Sequence, residues 1–229
     1  MNRDNHAQEL RTGQRFAFGE NWARFLKMLN EERVLQARQS LVDMIGMARL
    51  DGKTFLDISS GSGLFSLAAR QLGGRVHSFD YDPQSVACTE ELRRRYFDGD
   101  INWKVERGSA LDAEYLQSLG QFDIVYSWGV LHHTGDMWQA LELVAPLVKP
   151  GGRLYIALYN NQGRASIAWK KVKQIYNRAN RPGRIIVVAV AFLRLWGPTI
   201  LRDALKGRPF ASWKNYQSTA RGMSPWRDD

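Results

Sequence analysis

The stretch FLDISSGSG, residues 55–63, joins a hydrophobic run to a loop of small residues and sets the fold of the chain around it. Gly61 and Gly63 permit positive φ angles and let the backbone approach a ligand without a Cβ atom in the way. Free N–H groups at the start of the following helix favour a negatively charged group. Asp57, at the carboxyl end of the strand, is placed to meet an ammonium group. The pattern predicts a strand, a tight turn and a helix, with a ligand site at the turn.

Strand-like and helix-like segments alternate downstream of this turn. Short runs rich in β-branched or aromatic residues predict strands at 54–59, 75–81, 101–106, 122–128 and 153–159. Helical patterns lie between them, at 64–72, 84–96, 112–119 and 136–148. Pro150, Gly151 and Gly152 are expected to end the fourth helix and turn the chain into the last strand. Because the strands have few polar interruptions, we predict an α/β fold in which helices cover both faces of a parallel sheet of about five strands.

The segments on either side of this core follow a different pattern. We predict a helical cap at 1–50, the core at 51–160 and a mostly helical appendage at 161–229. The apolar run IIVVAVAFL, residues 185–193, falls short of the ~20 residues that span a bilayer. We expect an amphipathic helix that continues to about Leu205 and is bent or broken at Gly197 and Pro198. A buried strand is the alternative.

Composition and charge limit the function classes. Cys88 is the one cysteine among 229 residues, so we predict neither a disulfide framework nor a metal site and expect a reducing, cytoplasmic setting. From Asn160 onward, 14 Lys and Arg residues face 3 Asp residues, whereas the first 159 residues contain 18 basic and 20 acidic residues. The basic appendage suits nucleic acid, anionic lipid or an acidic substrate, or is a solvated surface.

A second acidic position follows the next predicted strand, which ends in SFDYD, residues 78–82. Nucleotide-binding α/β folds hold a carboxylate at this place against ribose hydroxyls, and Asp80 occupies it. The alternative role, capping the next helix, suits Asp82 better because Pro83 follows it. Gly61, Gly63 and Asp80 also imitate the fingerprint of nicotinamide-dependent dehydrogenases, but Ser66 replaces its third glycine.

Five segments together resemble the class I S-adenosylmethionine-dependent methyltransferases, in the branch of ubiquinone-pathway and small-molecule O-methyltransferases. They are FLDISSGSG, SFDYD, GSALD at 108–112, FDIVYSWGVLHH at 122–133 and LVKPGGRLYIALYN at 147–160. The resemblance covers roughly residues 54–160 and implies a Rossmann-like sheet with strand order 3-2-1-4-5. It also implies S-adenosylmethionine as cofactor and S-adenosylhomocysteine as product.

The resemblance also implies which residues surround the cofactor. Its methionine part would lie among Asp57, Ser59, Gly61 and Gly63, and its ribose against Asp80. The residues placed around the adenine are Tyr81, Ala110, Leu111 and Asp112. Those placed beneath the transferable methyl group are Ser127 and Trp128.

Two departures from the family pattern stand out. Ser59 occupies the position of the first glycine, where we expect it to keep ordinary backbone angles. The family's final antiparallel strands have no counterpart after Asn160, so the segment 153–159 becomes a sheet edge that needs cover from the appendage or from a second copy of the chain. The ending RGMSPWRDD suggests a shortened relative or a shortened chain.

Methyl transfer from a sulfonium depends mainly on alignment and exclusion of water. A hydroxyl acceptor also needs a general base, for which His133 and then His132 are the candidates; packing in the loop is the alternative. Aromatic residues near the N-terminus form a lid or simply pack, namely Phe16, Phe18 and Trp22. The residues after the last strand line an acceptor pocket or form a polar turn, namely Tyr159, Asn160, Asn161 and Gln162.

The sequence thus favours methylation of an oxygen atom on a small or amphiphilic acceptor. Residues 164–214 are a candidate contact with an anionic or membrane surface, which would place the protein in the cytoplasm or at the inner face of a membrane. A non-catalytic or nucleic-acid-directed protein that binds S-adenosylmethionine is the alternative, and a nicotinamide-dependent oxidoreductase is a remote one.

Overall fold

The computed structural model describes residues 18–160 and 162–219, and the candidates Phe16 and Asn161 lie outside these ranges. Contacts between Cα atoms divide the chain into two compact units, Met1–Tyr159 and Asn160–Asp229. The described N-terminal helices and the sheet lie in the first of these units.

The sheet of the first unit has five parallel strands in the order β3-β2-β1-β4-β5. Their bounds are β1 Thr54–Ile58, β2 Arg75–Asp80, β3 Trp103–Arg107, β4 Phe122–Trp128 and β5 Val148–Ala157. The predicted fold class and strand order are confirmed. The order reverses between β1 and β4, so a crevice opens at their carboxyl ends, where α/β folds of this kind bind ligands.

Helices cover both faces of the sheet. Among the described residues of the first unit, the α-helices are α1 Phe18–Lys27, α2 Glu31–Ile45, α3 Leu64–Gln71, α4 Pro83–Tyr96, α5 Ala113–Ser118 and α6 Met137–Val144. Because successive side chains of a strand point to opposite faces, Phe55 and Leu56 of β1 belong to different cores. Phe55 packs with Leu41 of α2 in one core, and Leu56 packs with Leu116 of α5 in the other.

Two strand boundaries differ from the expectation. Strand β3 begins at Trp103, two residues late, because Ile101 lies in a turn and is 94% exposed. The expected turn at Pro150–Gly152 is wrong, since β5 begins at Val148 and these residues form an irregularity within it. Phe122 pairs with Val148 and Ile124 pairs with Arg153, so β5 contains extra residues between these pairs and takes them up as a bulge.

The second unit is helical in the described residues, as expected. It contains α7 Arg164–Arg178, α8 Arg181–Leu205 and α9 Ala211–Thr219. Asn180 caps α8, its side chain accepting the N–H of Gly183 at 3.0 Å. A break at Gly197 and Pro198 is wrong, because α8 continues through both residues; a bend there stays a prediction. The apolar character thus extends well past Leu193, and by length and composition alone α8 is able to cross a membrane.

Candidate functional site

The loop from β1 to α3 has the sharp backbone that its small residues suggest. Gly61 and Gly63 adopt φ angles of 56° and 78°. The expectation of ordinary angles for Ser59 is wrong, since its φ is 61°, in the left-handed region. This conformation costs a non-glycine residue roughly 1–2 kcal/mol. The N–H of Ser59 donates to the carbonyl of Phe79 at 2.8 Å, which holds the strained residue against the end of β2.

Asp80 ties together the loops that follow β1 and β2. Its Oδ2 accepts the N–H of Gly61 at 3.0 Å and its Oδ1 accepts the N–H of Asp82 at 2.9 Å. Burial raises the pKa of Asp80 to about 6, although both backbone hydrogen bonds oppose the shift. Each carboxylate oxygen keeps a second lone pair for a ribose hydroxyl. The capping role belongs to Asp82, whose Oδ1 accepts the N–H of Gln84 at 2.9 Å.

Asp57 lies at the end of a buried chain of hydrogen bonds beneath the loop. The indole N–H of Trp103 donates to Ser78, Ser78 donates to Ser66, and the Ser66 hydroxyl donates to the Asp57 carboxylate. Burial raises the pKa of Asp57 to about 7; the hydrogen bond from Ser66 opposes this shift, and the charge of Asp80 adds to it. The carboxylate therefore lacks a full countercharge among the described residues.

The Tyr126 hydroxyl is a further sign of an incomplete site. Tyr126 pairs with Asp57 across β1 and β4, and its buried hydroxyl has no hydrogen-bond partner among the described residues. Burial raises the pKa of Tyr126, and the Asp57 carboxylate raises it further. Two buried carboxylates, an unsatisfied hydroxyl and a glycine turn fit a ligand that carries an ammonium group and ribose hydroxyls.

Helix α1 lies over this loop. The N–H of Gly19 donates to Oδ2 of Asp82 at 2.8 Å. A Cβ atom on Gly61 would lie 2.9 Å from the Trp22 ring, so this indole covers the glycine turn directly. At the other end of the crevice, Phe18 packs against His133 with 5.3 Å between ring centroids. The structure thus places both described lid candidates over the crevice, and their function as a lid stays a prediction.

The candidate adenine residues follow β2 and β3. The guanidinium of Arg107 lies 5.6 Å from the centroid of the Tyr81 ring, and its Nε donates to the Tyr81 carbonyl. Ala110 is buried. Leu111 is partly buried against the second core. Asp112 caps α5, its Oδ1 accepting the N–H of Tyr115 at 3.1 Å, which leaves its other oxygen for an amine.

The two residues assigned beneath the methyl group differ in exposure. Ser127 is fully buried, and its hydroxyl donates to the Ile58 carbonyl at 3.3 Å, which joins the ends of β4 and β1. Trp128 is 49% exposed and stacks on Tyr126 with 5.9 Å between ring centroids. Trp128 thus offers an aromatic surface, whereas Ser127 shapes the strand end.

The two histidines occupy a 3₁₀ turn, Leu131–His133, beyond β4. The ring centroid of His132 lies 4.1 Å from those of both His133 and Tyr159. Burial lowers the pKa of His132, and neither of its ring nitrogens has a hydrogen-bond partner among the described residues. An imidazole in such surroundings is neutral near pH 7 and able to accept a proton.

Three residues that contribute to the candidate site were not identified from the sequence. Gly19, Ser66 and Tyr126 act through contacts with residues 9 to 69 positions away in the chain. Of the three, only Gly19 has a signal in the sequence. Glycine destabilises a helix, so a glycine inside one indicates a close contact that leaves no room for a Cβ atom.

Comparison with known proteins agrees with this geometry. Residues 56–154 match the family described as a methyltransferase domain. A ubiquinone biosynthesis O-methyltransferase of Caulobacter vibrioides is 32% identical over 173 residues, 74% of this chain and 64% of the relative. One from Pseudomonas paraeruginosa is 32% identical over 127 residues, 52% of this chain and 49% of the relative.

Among solved structures, the protein bound to the Trm112 methyltransferase activator of Haloferax volcanii is 26% identical, with a TM-score of 0.48 over 66% of this chain and 62% of its own. The chain spans 64% and 49% of the lengths of the two curated relatives. The family match decides between the methyltransferase and dehydrogenase alternatives. The sheet order, the five motifs and this match together show that residues 56–154 are a methyltransferase domain similar to those of the class I S-adenosylmethionine-dependent methyltransferases.

Proposed function

We propose that this protein transfers a methyl group from S-adenosylmethionine to an oxygen atom of a small or amphiphilic acceptor. The observation that carries the proposal is the pair of buried carboxylates, Asp57 and Asp80, on either side of the glycine turn. Both have raised pKa values because burial disfavours their charge. An aminoacyl nucleoside supplies an ammonium group for one and two hydroxyls for the other. The names of the curated relatives support oxygen as the acceptor atom.

The cofactor supplies a methyl group on a sulfonium, which is already activated as a leaving group. Asp57 would hold the ammonium group and Asp80 the ribose of this cofactor, and the acceptor would lie near Trp128. Trp22 and Phe18 exclude water from the crevice. His133 would remove the proton of the acceptor hydroxyl, whose oxygen would take the methyl group as the carbon–sulfur bond breaks and a neutral thioether leaves; the proton would remain on the imidazole until it passes to solvent.

Calorimetric titration with S-adenosylmethionine and S-adenosylhomocysteine tests the cofactor half of the proposal. We expect both ligands to bind, and no detectable binding would refute the proposal. Transfer of a radiolabelled methyl group to a panel of phenols, catechols, amines and thiols, each with and without a prenyl chain, tests the acceptor half. Labelling of amines but not of hydroxyls would overturn oxygen as the acceptor atom. Binding without transfer to any acceptor would favour the non-catalytic alternative.

A further inference from the structure

Helix α8 has an exposed stripe of aliphatic side chains. Ile186, Val190, Leu193 and Leu201 are 64, 62, 64 and 63% exposed. At 3.6 residues per turn, these four positions fall within about 80° of one another on the helix. Such a continuous apolar face, left in water, marks an interaction surface.

The other side of α8 is already packed. Phe192 and Trp196 lie against Trp213 of α9, with ring centroids 5.0 and 4.8 Å apart. The Asp203 carboxylate accepts the N–H and the hydroxyl of Ser212 at 2.8 and 2.9 Å. Helix α9 therefore covers one face, and the aliphatic stripe lies outside this contact.

The C-terminal unit that carries the stripe is strongly basic. Residues 162–219 contain 12 Lys and Arg residues and a single acidic residue, Asp203. Within these described residues, no Lys or Arg forms an ion pair. Helix α7 repeats the combination, because its exposed Lys170, Lys171 and Lys173 alternate with exposed apolar residues such as Ile167 and Ile175.

Exposed aliphatic groups beside unpaired cations match the interface of an anionic bilayer. Nucleic acid would neutralise the cations but leave the aliphatic stripe in water. A second copy of the unit would cover the stripe but bring like charges together. We propose that the C-terminal unit docks on an anionic lipid bilayer, with α8 lying in the plane of the interface.

An orientation in the plane follows from the position of Arg194. This residue lies near the middle of the 185–201 segment, between Arg184 and Arg202. A spanning helix would bring its guanidinium to the centre of the hydrocarbon region, whereas a helix in the interface leaves it among the headgroups. This inference does not depend on the proposed methyltransferase activity.

Co-sedimentation of the full chain with vesicles tests the docking. We expect binding to phosphatidylcholine vesicles containing phosphatidylglycerol, at least about tenfold weaker binding to phosphatidylcholine alone, and weakening by salt. The triple variant Ile186→Ser, Val190→Ser and Leu193→Ser should bind about tenfold more weakly or worse. The variant Leu35→Ser removes an aliphatic side chain of α2 that is 52% exposed, and should bind as the parent does.

The charge contribution needs a separate variant. Replacing Lys170, Lys171 and Lys173 by glutamine should weaken binding and reduce its salt dependence. Failure of the parent to bind anionic vesicles, or unchanged binding of the serine variant, would overturn the proposal. Binding of single-stranded RNA that survives the serine substitutions, without any vesicle binding, would assign the surface to nucleic acid instead.

Fluorophore depth tests the orientation in the folded protein, without removing the stripe. Cys88 is buried, so the variants Ile186→Cys and Leu201→Cys each present one accessible thiol for a polarity-sensitive label. These positions are about 22 Å apart along the helix axis. Equal, shallow depths of the two labels support a helix in the plane, and clearly different depths would overturn it. A label on Leu35→Cys should show no change with vesicles.

Discussion

The backbone N–H of Gly61 donates a 3.0 Å hydrogen bond to Oδ2 of Asp80, which joins the glycine turn to the end of the neighbouring strand. The carboxylate that we assign to the ribose thus also holds the loop that approaches the rest of the cofactor. Binding and loop geometry therefore depend on the same side chain.

Replacing Asp80 by asparagine should weaken S-adenosylhomocysteine binding by about 10- to 100-fold, because a charged acceptor is lost from two ribose hydrogen bonds. Calorimetry measures the change. Asp51→Asn, which removes an exposed carboxylate paired with Arg49, is the control and should bind normally. Equal affinities for the parent and Asp80→Asn would refute the ribose assignment.

The pKa of Asp57 should make the stability of the protein depend on pH. The pKa of about 7 in the folded protein lies above the ordinary aspartate pKa of 3.8, so the folded state binds a proton more tightly than the unfolded state. The contribution of Asp57 to the free energy of unfolding should therefore be greatest below about pH 4 and fall as the pH rises towards about 7.

In the Asp57→Asn variant, the free energy of unfolding should fall much less as the pH rises. At roughly pH 8 the variant should be more stable than the parent by about 1–4 kcal/mol. The same variant should bind the cofactor more weakly, since the ammonium loses its partner. Urea denaturation across this pH range measures the stability. A parent and variant with parallel pH profiles would contradict the shifted pKa.

Gly19→Ala should detach α1 from α4. The added Cβ atom would lie 2.4 Å from Cβ of Gln84 and 2.5 Å from the Asp82 carboxylate. We expect faster hydrogen exchange in residues 18–27 and about tenfold faster release of the cofactor, as Trp22 leaves the glycine turn. Gly197→Ala is the matched control, because its Cβ atom would meet nothing within 4 Å. Unchanged exchange and release in Gly19→Ala would refute the lid.

His133→Ala should lower kcat with a hydroxyl acceptor by about 100-fold or more while leaving cofactor affinity unchanged. Added imidazole should restore part of the rate, which a purely structural role would not produce. His77→Ala, which removes the histidine paired with Glu106 at 2.8 Å, is the control for rate and rescue. Loss of cofactor affinity in His133→Ala, with no rescue, would indicate that the ring has a packing role and is not a base.

The order of hydrophobic runs and glycine turns was sufficient to predict the five strands and their parallel pairing, and it indicates the sheet edge at which we place the cofactor. These features follow from local periodicity and from the few topologies that alternating strands and helices permit. The same reasoning identified Asp80 and assigned the helix cap to Asp82, because both roles depend on residues close in sequence.

The tertiary structure alone decided the rest. Ser59 adopts a left-handed angle because the end of β2 holds its N–H. Pro150–Gly152 remains within β5 because β5 takes up its extra residues as a bulge between the pairs that it forms with Phe122 and Ile124 of β4. Asp57 depends on Ser66 and Tyr126, and α1 depends on Gly19, through contacts that periodicity does not encode. Such contacts arise only when elements distant in the chain pack together, and this packing sets the burial, and thus the charge state, of the site.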